Sequence, residues 1–453
     1  EIVAMKILKY GTVLTCLILF TANATIAQNP LITNQYSADP SARVFNGEVY
    51  VYPSHDIIAT PGHGRMGWFC MQDYHVFSSP NLTDWTDHGV IVSQNTVPWA
   101  DSTAYSMWAP DCIERNGKYY LYFPATLKSK ATTRGGFTVG VAIADKPYGP
   151  FVPQAEPIKG IRGIDPNVFI DKDGQAYLYW AQGNIYVAKL KDNMIELASE
   201  PKAIENLPAI GLKEGPYLFE RKGIYYLTFP HVANKTERLE YVMSNSPTGP
   251  FKDCGVMMDE SSSGCWTNHQ SIIEFKNQWL LFYHNDDLSP NFDKARSIRA
   301  DSLFFNEDGT IRKVIPTLRG AGITKANKEI QVDRYSDISR GGASINFIDT
   351  AQRMKGWKTI LNQNKAWVRY NAVDFSVAKL KAVCINAESN VGSMVEIRLD
   401  KADGTLIAKV KIAKSVDWKL DKSTLMKVPS GKHDIFIILG EPNPSAIDWV
   451  RFY

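Results

Sequence analysis

Five ionisable residues recur at nearly the same phase of a repeating pattern, each six to nine residues ahead of a hairpin turn: Asp39, Asp111, Asp165, Glu214 and His269. Their contexts are Ala38-Asp39-Pro40, Pro110-Asp111, Ile164-Asp165-Pro166, Glu214-Gly215-Pro216 and Asn268-His269-Gln270. One Asp before a proline is an ordinary turn former. Several acids at one repeat phase are different, because like charges converging on one place are costly unless they bind a cation, share protons or do chemistry. Two separated carboxyl groups are the minimum equipment for breaking a glycosidic bond, one protonating the leaving oxygen while the other handles water or the anomeric carbon. Rival chemistries lack their signatures: there is no Gly-x-Ser-x-Gly elbow in a triad context, no phosphate loop and no dinucleotide fingerprint.

The elements that would position these acids are readable as a repeat. Asn46-Gly47, Asn116-Gly117, Asp173-Gly174, Lys222-Gly223 and Lys276-Asn277 each precede an aromatic-rich run such as Tyr119-Tyr120-Leu121-Tyr122. Asn-Gly and Asp-Gly steps between β-rich runs signal hairpins. A second strand and turn follow each hairpin, and two of these turns are copies of Pro-x-Gly-Pro-Phe, at 147–151 and 247–251. Units of about 50–60 residues made only of strands fit four-stranded blades arranged radially. The expectation is all-β: a five-bladed β-propeller over residues 28–320, its inner strands bringing the equivalent positions to the axis, followed by a β-sandwich of jelly-roll type over 321–453. In the second part the repeat stops and alternating segments such as Val395-Glu396-Ile397-Arg398-Leu399 take over.

The 453 residues include 50 basic and 47 acidic ones, a net charge of +3. This gives no basic surface on which to expect nucleic acid or an anionic membrane. The 11 Trp, 21 Tyr and 20 Phe are a large aromatic share, suited both to inter-sheet packing and to stacking on sugars. Lys6 and Lys9, the apolar run Val13–Phe20 and the small residues up to Ala27 read as a secretory signal over residues 1–27, with 1–4 ahead of Met5 as a start-site artefact. The run is too short to span a bilayer. A secreted or periplasmic monomer with no membrane span is expected. The mature cysteines, Cys70, Cys112, Cys254, Cys265 and Cys384, are odd in number; Cys254 and Cys265 could close a small loop, and free thiols are the alternative.

On these residues the chain resembles glycoside hydrolase family 43. The stretches that carry the likeness are Asn29-Pro30-Leu31 with Ala38-Asp39-Pro40, Tyr52-Pro53-Ser54-His55-Asp56, Val76-Phe77-Ser78-Ser79 with Trp85, Met107-Trp108-Ala109-Pro110-Asp111, Ile164-Asp165-Pro166, Glu214-Gly215-Pro216 and Asn268-His269-Gln270-Ser271. The resemblance implies a five-bladed propeller and an inverting mechanism, with Asp39 as general base, Glu214 as general acid and Asp165 tuning the acid. It further implies that Trp108 stacks on the sugar, that Arg299, or failing it Arg296, binds hydroxyls, and that His269 lies on the channel, where calcium is an expectation. The implied activity is release of arabinose from plant arabinoxylan or arabinan. β-Xylosidase, endo-arabinanase and galactofuranosidase activities are alternatives, as is a non-catalytic glycan-binding propeller.

The tail resembles carbohydrate-binding module family 6 through Trp367-Val368-Arg369-Tyr370, Val373-Asp374-Phe375, Gly431-Lys432-His433-Asp434 and Ile447-Asp448-Trp449. It departs from that pattern at Ala446, where Asn is usual, and at Asp421, where a second Trp is usual. Both changes weaken a sugar cleft, and Trp367, Trp418 and Trp449 are equally expected as core.

Overall fold

The structure is a computed structural model that describes residues 28–128, 136–377 and 379–453. The expected signal segment lies outside the described residues. Among those described, no helix is long and apolar enough to cross a membrane.

The chain is all-β. Its first part forms five consecutive antiparallel sheets, each built from one contiguous stretch of sequence. Their first strands are Ala38–Phe45, Asp111–Arg115, Ile164–Ile170, Tyr217–Arg221 and Ser271–Phe275. Four sheets have four strands, and the fifth has three, ending with Ser297–Ser302. Each first strand contacts the next, and the fifth returns to the first, so the five make a closed ring.

The hairpins form where the turn residues allow it. Asn46 and Gly47, Asn116 and Gly117, Lys222 and Gly223, and Lys276 and Asn277 all take positive φ, the two-residue turn whose twist suits a hairpin. The third repeat differs: only Gly174 is left-handed, and the turn lengthens to run from Asp171 to Gln175.

The aromatic residues of the hairpins fill the five seams of the ring. Tyr50 and Tyr52 pack against Tyr119 and Phe123, Tyr122 against Val168 and Trp180, Tyr177 and Tyr179 against Tyr225 and Phe229, Tyr226 against Tyr283, and Val51 against Phe282. Each fully buried aromatic side chain contributes about 1.5–3 kcal/mol. The two Pro-x-Gly-Pro-Phe turns have a common use: Pro147 O accepts the Tyr52 hydroxyl at 2.5 Å, and Pro247 O accepts that of Tyr179 at 2.6 Å. A buried phenol thereby gains the partner it needs.

Among the described residues no strand is exchanged across the seam between the fifth and first sheets. The segment entering the first sheet closes it: Leu31 N–H donates to Ile298 O at 2.9 Å and Ser37 N–H to Arg296 O at 2.9 Å. The buried Asn29 side chain donates to Ala300 O and Thr317 O.

The second part holds two six-stranded sheets over one core. That core is aliphatic, with Val368, Ile385, Val395, Ile397, Ile407, Ile437 and Ile447 fully buried. Trp367, Trp418 and Trp449 lie outside it, half-buried on outer faces, which corrects the expectation of core tryptophans. All five described cysteines are free thiols, so Cys254 and Cys265 do not pair.

Candidate active site

Ladder register gives the true phase of the site. Tyr52, Tyr122, Tyr179, Thr228 and Phe282 stand at one position of the hairpins and pair with Ser41, Asp111, Asn167, Tyr217 and Ser271. Two residues upstream of those partners are Asp39, Ala109, Asp165, Gly215 and His269. Glu214, one step before Gly215, completes the set, and Asp39, Ala109, Asp165, Glu214 and His269 all line one cavity of about 150 Å³.

Asp111 is therefore two residues out of phase and does not face that cavity. It binds the inner strands together instead, accepting from Ser41 Oγ at 2.6 Å, Asn167 Nδ2 at 3.0 Å, Val168 N at 2.7 Å and both Nε and Nη2 of Arg43. Sequence counting merged this structural acid with the cavity acids because the hairpin arms differ in length.

The cavity acids are aimed by the backbone. Asp39 and Asp165 take φ of 49° and 57°, and Gly215 takes 49°. Each precedes a proline, which disfavours the right-handed helical region for the residue before it. Short polar Asp tolerates the left-handed conformation, as glycine does. At Gly215 a Cβ would come within 2.8 Å of Pro230 and 3.1 Å of His269, so the residue after Glu214 has no room for a side chain.

Asp39 is buried in a set of donors. Arg296 Nη1 reaches Oδ1 at 2.8 Å, Arg296 Nη2 reaches Oδ2 at 3.2 Å, and Ser54 Oγ donates to Oδ2 at 2.6 Å. Burial alone would raise this carboxyl, but Arg296, His284, His269 and Ser54 outweigh it and bring it down to about 2. His284 is buried and its pKa is driven down to about 3, by burial first and then by Arg296. The neutral ring accepts the Asp39 N–H at Nδ1 (3.0 Å), leaving Nε2–H to donate to Thr267 O at 3.0 Å.

Across the cavity the balance is opposite. Burial raises Glu214, with Asp39 adding to the effect. Asp165 is raised well above the usual carboxylate range by burial and by the charges of Glu214 and Asp39. Its Oδ2 accepts the Gly215 N–H at 3.0 Å, which fixes the backbone carrying Glu214. One carboxyl in this enclosure is thus pushed toward its ionised form and its neighbours toward their protonated forms, the separation that acid–base chemistry needs.

Sequence reasoning missed Glu237. It is wholly buried, its Oε2 accepts the Asn268 N–H at 2.6 Å, and its carboxyl stands against that of Glu214. Burial and the Glu214 charge raise its pKa well above normal. Among the described residues Oε1 meets no partner in ordinary hydrogen-bond geometry, and two carboxyls in contact favour a proton between them. Nothing in the repeat marks Glu237, which sits on the third strand of its sheet, away from the phase of the others.

Trp108 lines the cavity and leans on Phe137 at 4.6 Å, with Trp68, Phe69 and Trp266 as further walls that counting by phase did not find. Arg296, not Arg299, is the cavity arginine. Arg299 sits on the last strand of the fifth sheet, where Nη2 donates to Thr317 O at 3.0 Å and Nε lies 3.6 Å from Asp287. The expectation of Arg299 in the cavity is corrected accordingly. His269 Nδ1 lies 3.8 Å from Asp39 Oδ1, and burial lowers its pKa. Calcium takes six to eight oxygens. Around His269 the chain offers an imidazole and a carboxylate already held by Arg296, so these residues do not fit a protein cage for calcium.

The two parts match separate family models. Residues 27–311 match the sequence model of glycosyl hydrolases family 43, and residues 338–453 match carbohydrate binding module family 6. The chain is 38% identical over 331 residues to xylosidase/arabinosidase 43A of Humicola insolens, covering 62% of this chain and 98% of that one. It is 27% identical over 496 residues to an arabinoxylan arabinofuranohydrolase of Bacillus subtilis (strain 168), covering 94% and 92%. Among solved structures, a family 43 β-xylosidase/α-arabinofuranosidase from a compost microbial metagenome, in complex with xylotriose and in a calcium-free form, superposes with a TM-score of 0.56 at 35% identity over 64% of this chain and 98% of that one. Buried acids of opposite pKa tendency lining one small cavity, on a chain matched over most of its length, make this protein a glycosidase that belongs to glycosyl hydrolase family 43 and carries a carbohydrate-binding module of family 6.

Proposed function

We propose that the chain is an exported, inverting exo-glycosidase that removes single α-L-arabinofuranosyl units from arabinoxylan or arabinan. The observation that carries this reading is the pairing of an Arg296-clamped Asp39, held at about 2, with a buried Glu214 that burial raises, in a cavity of about 150 Å³. That volume is below the roughly 300–1,000 Å³ of drug-sized ligand sites, and it suits one small ring rather than a bound chain.

Glu214 gives its proton to the leaving glycosidic oxygen. Asp39 takes a proton from water as that water attacks the anomeric carbon from the opposite face, so the configuration inverts. Asp165 positions the acid through its hydrogen bond from the Gly215 N–H. Trp108 offers a ring face to the sugar, and Arg296 and His269 border it. The five-sheet ring is read as a five-bladed propeller over residues 28–320 and the two-sheet part as a sandwich over 321–453. Export rests on the sequence of residues 1–27.

Release of a β-D-xylosyl unit is the second reading, favoured by relatives that carry both activities in their names. The test is hydrolysis of nitrophenyl α-L-arabinofuranoside and β-D-xyloside, followed by product analysis on arabinoxylan. Arabinose as the main product supports the first reading, and xylose supports the second. Retention of configuration in the first product seen by NMR rules out the inverting mechanism.

A further inference from the structure

The first sheet holds a second cluster of ligating side chains outside the cavity. His55 follows the strand Glu48–Ser54, and Asp73 and His75 share one face of the neighbouring strand Asp73–Ser79. One ligand atom from each of the three lies within 4.8 Å of the other two. The two imidazole rings are 5.0 Å apart, and His55 Nδ1 is 2.6 Å from Asp73 Oδ1. Asp73 is buried, while the histidines keep an edge exposed to solvent.

A second layer orients the cluster. His75 Nδ1 is bonded to Asp87 Oδ1 at 3.0 Å, which leaves Nε2 as the ligand atom of that ring. Asp87 is in turn fixed by the Gly89 N–H at 2.8 Å. A carboxylate behind a ligating histidine is the usual support of a metal site, setting the tautomer and raising ligand basicity.

We propose that His55, Asp73 and His75 bind a zinc-class divalent ion, with Asp87 orienting His75 and water in the fourth position. Two imidazoles and one carboxylate suit zinc and its transition-metal neighbours, whereas calcium and magnesium prefer oxygen. Zinc stands about 2.0–2.2 Å from nitrogen and oxygen ligands. A tetrahedral ion therefore needs these ligand atoms a little over 3 Å apart, within reach of small side-chain rotations from the present geometry. The ion replaces the proton shared by His55 and Asp73, and that proton is released to solvent.

The site would also reach the chemistry. His55 lies between Ser54, which donates to Asp39 Oδ2, and Asp56, which holds Arg296 Nε at 2.8 Å. A bound ion would pin the short segment on which the general base and its arginine both depend.

The test is metal content and zinc titration of untagged full-length protein after chelator treatment and dialysis, with folding followed by circular dichroism. One equivalent of zinc, lost in His75→Gln and His55→Gln proteins of unchanged spectrum, is the expected result. Asp87→Asn should weaken zinc binding about 10–100-fold while keeping the stoichiometry. Cobalt added in place of zinc should give a visible absorption band that both histidine variants lack. Absence of saturable zinc binding, equal binding by wild type and variants, or uptake of calcium or magnesium in preference to zinc would each overturn the proposal. Where a histidine variant misfolds, the Asp87→Asn affinity and the wild-type cobalt spectrum decide.

Discussion

The two halves of this chain spend their buried volume in opposite ways. The ring buries Asp39, Asp165, Glu237, Arg296, Arg299 and His284 among its strands and lines its seams with Tyr, Phe and Trp. The two-sheet part packs Val, Ile and Leu at near-zero exposure and keeps almost every charge outside. Buried charge is costly unless it is paired. Its concentration in one half marks where stability has been exchanged for chemistry. In the other half, alternation alone builds the core.

Breaking the chemistry should have the largest effect. Glu214→Gln should lower kcat on arabinoxylan about 10²–10⁴-fold, with a much smaller loss on an aryl pentoside whose leaving group needs no proton. Asp39→Asn should lower both alike, because water must be activated whatever the leaving group. Steady-state kinetics on the two substrates checks this contrast.

Next in size is Arg296→Gln, which leaves Asp39 and Asp56 buried without their cation. Breaking such a pair costs about 3–5 kcal/mol. Denaturant unfolding should show that loss, and the low pKa of Asp39 should disappear with it. In the wild type the sign is fixed: Asp39 is held at about 2, so its contribution is complete above the ordinary range near 4 and is lost as pH falls through about 4 to 2.

Ile437→Ala, in the two-sheet part, should cost about 2–5 kcal/mol in the unfolding of that part. Its kcat/KM at 25 °C should equal that of wild type. A fall in kcat/KM with the fold intact would show that the two halves are coupled more closely than their separate cores imply.

The smallest effect concerns Glu237. Activity should fall as pH rises through the raised pKa of Glu214, where the acid loses its proton. The Glu237 carboxyl lowers that pKa by hydrogen bonding to the charged form. Glu237→Leu should move the alkaline limb of the kcat profile upward by about one pH unit, the size of a hydrogen bond to a charged group. Glu237→Gln, which keeps a donor, should leave the limb nearly in place.

The comparison also explains what was legible in the sequence. Asn-Gly steps and aromatic runs encode hairpins locally, so the five sheets could be counted from the residues. Asp39, Asp165 and Glu214 could be found because they recur at one phase ahead of the hairpin turns. Asp111 looked equivalent but is not, since only ladder register shows that it falls two residues late. Arg296 and Arg299 are three apart in adjoining positions, and which one faces the cavity depends on where the last strand begins. Glu237 was invisible because its role comes from a fold-level contact with Glu214. The outer-face positions of Trp367, Trp418 and Trp449 were equally hidden, because tryptophan suits a core and a surface alike.

The seam that closes the ring has a mechanical meaning. Asp39 belongs to the first sheet and Arg296 to the approach to the last strand of the fifth, so the carboxylate and its cation stand on opposite banks of one joint held by Leu31, Ser37 and Asn29. Any slippage at this joint would therefore be felt at the Asp39–Arg296 pair without a ladder inside either sheet being broken.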